Sequence, residues 1–157
     1  MRKPIVPPPA WALLFGVLMW LLHRRMPLAT VLAPPATWLG ALVALGGLGI
    51  DVACIRRFAS AKTTPHPMKL KKASTLVTEG LYRWTRNPMY VGLLLVLCGW
   101  ALWLGTLSPW IGPPLFVVLI TLAQIRLEEA ALRGIFGAAY DEYCARVPRW
   151  IGWPRRA

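Results

Sequence analysis

The sequence predicts an all-α integral membrane protein with about four transmembrane helices, a helical hairpin and an amphipathic cytoplasmic C-terminal tail. Three observations carry that reading. Hydrophobic residues make up 57% of the chain, and mean hydropathy is +0.51. Charged residues are only 15%, well below the roughly 25% of soluble domains. Finally, the charges lie between the apolar runs and not within them. Nine tryptophans fit the same solvent, because an indole ring favours the membrane–water border.

The 157 residues suit a single domain, residues 1–157, with spans near 5–23, 36–55, 88–107 and 109–126. A cytoplasmic loop, 56–87, and a tail, 127–157, complete it. The first run, Ala10 to Leu22, is short for a span of about 20 residues. It lengthens backwards through Ile5–Pro9, since prolines are tolerated where a helix starts. Met1-Arg2-Lys3 before an apolar run also resembles a signal peptide, but the prolines and the following His23-Arg24-Arg25 fit a retained helix. The second run carries Gly40, Gly46, Gly47 and Gly49, which allow helices to approach closely. The third and fourth are joined by a tight uncharged turn, Gly105–Pro109, and form the hairpin.

Charge sets the topology. Arg56, Arg57, Lys62, Lys69, Lys71, Lys72, Arg83 and Arg86 lie in the second loop, and Arg126, Arg133, Arg146, Arg149, Arg155 and Arg156 in the tail. The positive-inside bias puts both on the cytoplasmic side. Arg24 and Arg25 fall on the opposite side and are the one feature that resists this arrangement. The net charge of +12 is therefore read as attraction to anionic lipid headgroups, with no nucleic-acid partner. Cys54, Cys98 and Cys144 have no metal-ligand or paired spacing, so neither a metal site nor a disulfide framework is expected. Asp51 is expected to pair with Arg56 or Arg57. His66 lies in a proline-flanked loop, and Lys69-x-Lys71-Lys72 is a headgroup contact.

The tail reads as a helix with Leu132, Ile135, Phe136, Ala139, Tyr140 and Tyr143 on one arc, weakened by Gly134 and Gly137. Glu128 and Glu129 project within that arc. Polar groups at a membrane border need partners, because unsatisfied ones in hydrocarbon cost several kcal/mol. Two clusters stand there: Arg86-Asn87-Pro88-Met89-Tyr90 where the third run begins, and Arg126-x-Glu128-Glu129 where the fourth ends. The hairpin makes them neighbours in space.

The spacing Gly80-x-Tyr82-x-x-x-Arg86-Asn87-Pro88-x-Tyr90-x-Gly92 resembles the G-x-Y-x-x-x-R-H-P-x-Y-x-G motif of the isoprenylcysteine carboxyl methyltransferase family, which related phospholipid N-methyltransferases share. Glu128-Glu129-x-x-Leu132, Phe136-Gly137-x-x-Tyr140-x-x-Tyr143 and Val147-Pro148 match its second half, and Thr63-Thr64 with Leu76-Val77-Thr78-x-Gly80 looks like the loop of bacterial members. The resemblance covers roughly Lys62 to Trp150. It implies methyl transfer from S-adenosylmethionine to a lipophilic or amphipathic substrate entering from the bilayer. It also implies a multi-pass protein of a bacterial inner membrane with its site facing the cytoplasm.

By position, Val77, Gly80, Leu81, Tyr82, Asn87, Pro88 and Tyr90 would line the cofactor pocket. Glu128 and Glu129 would hold ribose hydroxyls or the amino group. Arg86, Arg126 and Glu129 would serve the reaction, with Arg86 or Arg126 gripping an anionic group of the substrate. The chain departs from the pattern at Asn87, where the family has histidine. Asparagine can make hydrogen bonds but cannot titrate near neutral pH. That favours an acceptor already ionised at pH 7, such as a carboxylate, over an ammonium that must first lose a proton. The alternatives are a phospholipid or amine N-methyltransferase, an NADPH-dependent membrane reductase (steroid-reductase-like proteins have a broadly similar C-terminal half), and a non-catalytic protein of the same fold.

Overall fold

The computed structural model describes residues 6–60 and 76–153, and all its extended elements are helices. They are α1 (Pro8–Arg25), α2 (Trp38–Ser60), α3 (Pro88–Leu104), α4 (Gly112–Ile120), α5 (Arg126–Phe136) and α6 (Ala138–Arg146). Short 3-10 turns cover Gly80–Arg83 and Ser108–Ile111, and a π-helical turn, Thr121–Ile125, joins α4 to α5 without a break. Met1 to Ile5, the Thr63-Thr64 pair, His66, the Lys69–Lys72 run and Arg155-Arg156 lie outside the described residues.

Each apolar run is helical, and prolines open three of the helices. Pro8 and Pro9 start α1, Pro88 starts α3, and Pro113 follows Gly112 at the start of α4. The first turn of a helix has no use for the N–H that proline lacks. α3 ends at Gly105, whose φ of 72° is the left-handed conformation that glycine adopts freely. Among the described residues one helix, α2, has a stretch long and apolar enough to cross a bilayer by itself, Trp38–Arg57 with mean hydropathy 1.9. α3 is a shorter apolar helix of 17 residues. Leu13, Leu14, Leu42, Leu45, Leu48, Val118 and Leu119 are all exposed, and exposed apolar side chains on this scale mark a membrane or partner surface.

α1, α3 and α4 share a core of Phe15, Met19, Leu97, Ala101, Phe116 and Ile120. Phe15 meets Phe116 edge to face at 5.7 Å. α2 lies antiparallel on the other side of α3, at backbone distance. A β-carbon on Gly47 would stand 2.5 Å from the Gly92 carbonyl oxygen, and one on Gly99 would stand 2.5 Å from that of Gly40. Two of the four expected glycines, Gly40 and Gly47, make this seam. Gly46 and Gly49 face open space, because positions one or two residues away on a helix look elsewhere.

The loop after α1 closes the far end of the hairpin. The Val31 N–H donates to the Gly105 carbonyl at 2.7 Å, and His23 Nδ1 and Thr106 Oγ1 are 2.9 Å apart. Arg24 and Arg25 thus stand at the end of the bundle opposite Arg86, with the Arg24 guanidinium 5.9 Å from the Trp20 ring centre. The expected pairing of Asp51 with Arg56 or Arg57 does not form. Arg57 pairs with Glu79, while Asp51 Oδ1 is buried against Gly92 without a hydrogen-bond partner. Asp51 lies on the α2 face turned to α3, whereas Arg56 and Arg57, five and six residues on, stand on other sides of the helix.

The tail arc is divided. Gly137 takes φ 53° and ψ −129° and separates α5 from α6. Leu132, Phe136, Tyr140 and Tyr143 still gather with Cys54, Tyr82 and Val147 in a second core. Ile135 and Ala139 do not, and are exposed.

Candidate active site

The second core and the start of α3 enclose the motif residues. Gly80 takes φ 64°, a left-handed conformation that opens the turn burying Tyr82. Tyr82 packs against Cys54 of α2, and its carbonyl accepts the Tyr143 hydroxyl of α6 at 2.8 Å. Leu81 is exposed, while Val77 packs half-buried against the same core. At the start of α3 Asn87 is half-buried, Pro88 is buried, and Tyr90 turns towards Glu128 of α5.

Glu128 and Glu129 are adjacent on α5 and so point about 100° apart, into different surroundings. Glu128 Oε1 accepts the Tyr90 hydroxyl at 2.8 Å and the Gln124 amide at 3.1 Å. Burial holds its pKa above the ordinary carboxylate value, aided by the neighbouring Glu129 charge, although the Tyr90 and Gln124 hydrogen bonds pull the other way. Glu129 is buried too, and burial pushes its pKa up. The hydrogen bonds from Arg149 and the charges of Arg86, Arg149 and Arg133 outweigh this, and its pKa ends below the ordinary value. Two neighbouring carboxylates driven in opposite directions are a recurring mark of divided roles in a site.

The arginines around Glu129 are unequal. Arg149 meets it with two parallel contacts, Nε to Oε1 at 2.8 Å and Nη2 to Oε2 at 2.7 Å. Arg86 approaches from the side, Nη1 to Oε1 at 3.3 Å, and also donates to Cys144 Sγ. The Nε of Arg86 is buried and has no acceptor. Arg126 is not in this group. It is exposed, and two positions before Glu128 it stands about 160° around α5 from that carboxylate.

The segment Val147–Trp153 straps across the start of α3. Arg86 N–H donates to the Pro148 carbonyl at 2.9 Å, and the Arg149 carbonyl accepts from Asn87 Nδ2 at 3.0 Å and Thr85 Oγ1 at 3.1 Å. Gly152 N–H donates to the Trp84 carbonyl at 3.3 Å, and the Trp150 indole donates to Thr121 Oγ1 at 3.1 Å. Asn87 thus spends its amide on the strap. Two residues of the cluster are not among the sequence-predicted site residues: Gln124, and Arg149, which counted there only as a tail charge. A lone amide near the end of an apolar run, four residues before Glu128, is a signal for Gln124. Nothing in the local sequence around Arg149 points to Glu129.

Residues 35–139 match the model of the phospholipid methyltransferase family, which is well over half of the chain. The chain belongs to this family. The matched stretch runs from just before α2 into α6 and holds both motif halves through Gly137. Beyond the family model, the chain is similar to protein-S-isoprenylcysteine O-methyltransferases. That of Schizosaccharomyces pombe is 34% identical over 83 residues, covering 53% of this chain and 35% of the relative. That of Rattus norvegicus is 32% identical over 124 residues, covering 71% and 40%. A Haemophilus influenzae protein whose function is not described is 43% identical over 63 residues, 40% of this chain and all of the relative. The chain thus spans roughly a quarter to a half of the length of the methyltransferases it matches. No solved structure matches.

Proposed function

We propose that this family member transfers a methyl group from S-adenosylmethionine to a lipophilic acceptor at the cytoplasmic border of a bacterial inner membrane, crossing it with about four spans. The observation that carries the reading is the polar cluster itself. Tyr90, Glu128, Arg86 and Glu129 gather, largely buried, where an apolar bundle ends, and a bundle without a ligand to serve has no use for four such groups there.

The residues fit the proposed cofactor by charge. Its amino-acid carboxylate suits the buried Arg86 Nε–H that lacks an acceptor. Its ammonium and ribose hydroxyls suit carboxylate oxygens. Glu129 is taken up by two arginines, so those donors fall to Glu128, whose Oε2 is not used by Tyr90 or Gln124. When bound, the cofactor supplies an electrophilic methyl group on a sulfonium. The protein's part is to hold and orient. Tyr90 and Gln124 fix the Glu128 carboxyl from one side. Arg86 positions an anionic group, and the strap and second core keep water from the pocket walls.

A carboxylate oxygen is the favoured acceptor, because Asn87 cannot remove a proton and is committed to the strap. Membership of the phospholipid methyltransferase family favours a second reading, N-methylation of a phospholipid amine, with the buried Glu128 as the proton acceptor. Calorimetry in detergent should show S-adenosylhomocysteine binding, and Tyr90→Phe should weaken it by about tenfold, since Glu128 loses one of its two fixed donors. Labelled cofactor added to membrane extract, followed by mass spectrometry of the product, separates a methyl ester from a methylated amine. A folded protein that neither binds nor labels would end the proposal.

A further inference from the structure

Arg149 lies beyond the matched family stretch, yet it grips Glu129 with two parallel contacts. We propose that Arg149 is a positioning residue: it keeps Glu129 ionised and aimed, and it holds the Arg86 Nε–H in reserve for an anionic ligand. The second half rests on reading this cluster as the methyl-transfer site.

A carboxylate offers an arginine one end-on face for two parallel bonds. Arg149 occupies it, at 2.8 and 2.7 Å, and Arg86 is left with one longer contact at 3.3 Å. Arg86 therefore cannot turn its own fork onto Glu129, and its Nε stays buried without an acceptor. A donor stranded in this way is costly unless a ligand takes it up. The main chain enforces the arrangement. Three hydrogen bonds tie Thr85, Arg86 and Asn87 to Pro148 and Arg149, so both arginines hang from one short braced segment. Arg149 cannot drift without pulling on the residues beside Arg86. The other groups near Glu129 are Arg133 and Glu128 from its own helix and Tyr140 from α6, while Cys144 of α6 accepts from Arg86. Arg133 is exposed and pairs with Asp141, so it cannot replace Arg149.

The test uses the full chain in detergent. In the ligand-free protein, the lowered Glu129 pKa contributes stability that is present above the ordinary carboxylate pKa and is lost as pH falls through the folded value. Arg149→Gln should move this acid limb of the melting curve to higher pH. It should also weaken S-adenosylhomocysteine about ten- to a hundredfold, because Arg86 is then free to collapse onto Glu129. Arg149→Lys keeps the charge but not the fork, so its acid limb should stay near wild type while binding remains weakened. If Arg149→Gln does not fold at pH 7, the lysine variant decides. An unmoved acid limb in Arg149→Gln overturns the grip on Glu129. Unchanged affinity in both variants, when the wild type binds, overturns the reserved Arg86 donor. A wild type that does not bind refutes the methyltransferase reading and with it that donor, and the acid limb still judges the grip.

Discussion

Gly47→Val should separate α2 from α3 and lower stability by about 3 kcal/mol or more, at or beyond the upper end of overpacking effects. The new side chain would meet the Gly92 carbonyl oxygen, 2.5 Å from where its β-carbon must sit, and the Val96 nitrogen at 2.9 Å. Both are backbone atoms, so no change of rotamer relieves the contact. The second helix would have to move outward, taking Cys54 and the Tyr82 turn with it. The control is one residue away. Gly46 has nothing within 4 Å of an added β-carbon, and Gly46→Ala should change stability by no more than about 1 kcal/mol, the helix-propensity difference itself. Thermal unfolding in detergent, monitored by gel filtration, compares the two. Equal melting points would mean that the glycine seam does not hold the helices together.

Glu129→Ala should be the most damaging single change in the cluster. It leaves the Arg86 guanidinium, 12% exposed, without its carboxylate, and Arg149, 35% exposed, without its two-point partner. Breaking a buried pair in this way costs about 3–5 kcal/mol, and the partial exposure of Arg149 places this case near 3. That corresponds to a fall in melting point of roughly 6–12 °C for a chain of this size. The loss should be largest at neutral pH. At strongly acidic pH the wild-type carboxylate is itself protonated, and the two proteins should converge. Cofactor binding should fall in the same variant even at temperatures where it is folded. A Glu129→Ala protein that melts and binds like wild type would remove Glu129 from both the fold and the site.

Much of this molecule is legible along the chain. Each apolar run is helical because a bilayer or a core leaves its backbone no other way to satisfy its hydrogen bonds. Pro8, Pro88 and Pro113 mark starts, and Gly105 marks an end, through local backbone geometry alone. The Gly80-to-Gly92 stretch and the Glu128-Glu129 pair stand out because polar groups beside apolar runs are costly. The weakness at Gly137 shows in the sequence too, although the resulting divergence of Ile135 and Ala139 from Tyr140 does not.

Other features depend on what packing brings together. The sequence offers four glycines on α2, and only the position of α3 selects Gly40 and Gly47. It offers Arg126 two residues from Glu128, and the turn of one helix takes it out of the cluster. It offers Arg56 and Arg57 to Asp51, and the turn of α2 gives Arg57 to Glu79 instead. It places Arg149 twenty residues beyond Glu129, behind a helix break and a second helix, yet three hydrogen bonds to its own carbonyl and that of Pro148 return it there. Periodicity, caps and the cost of a buried charge are properties of short stretches, so the sequence by itself determined which segments are helical and where charge must find a partner. Which partner it finds depends on distances across the bundle, and only the tertiary structure decided that.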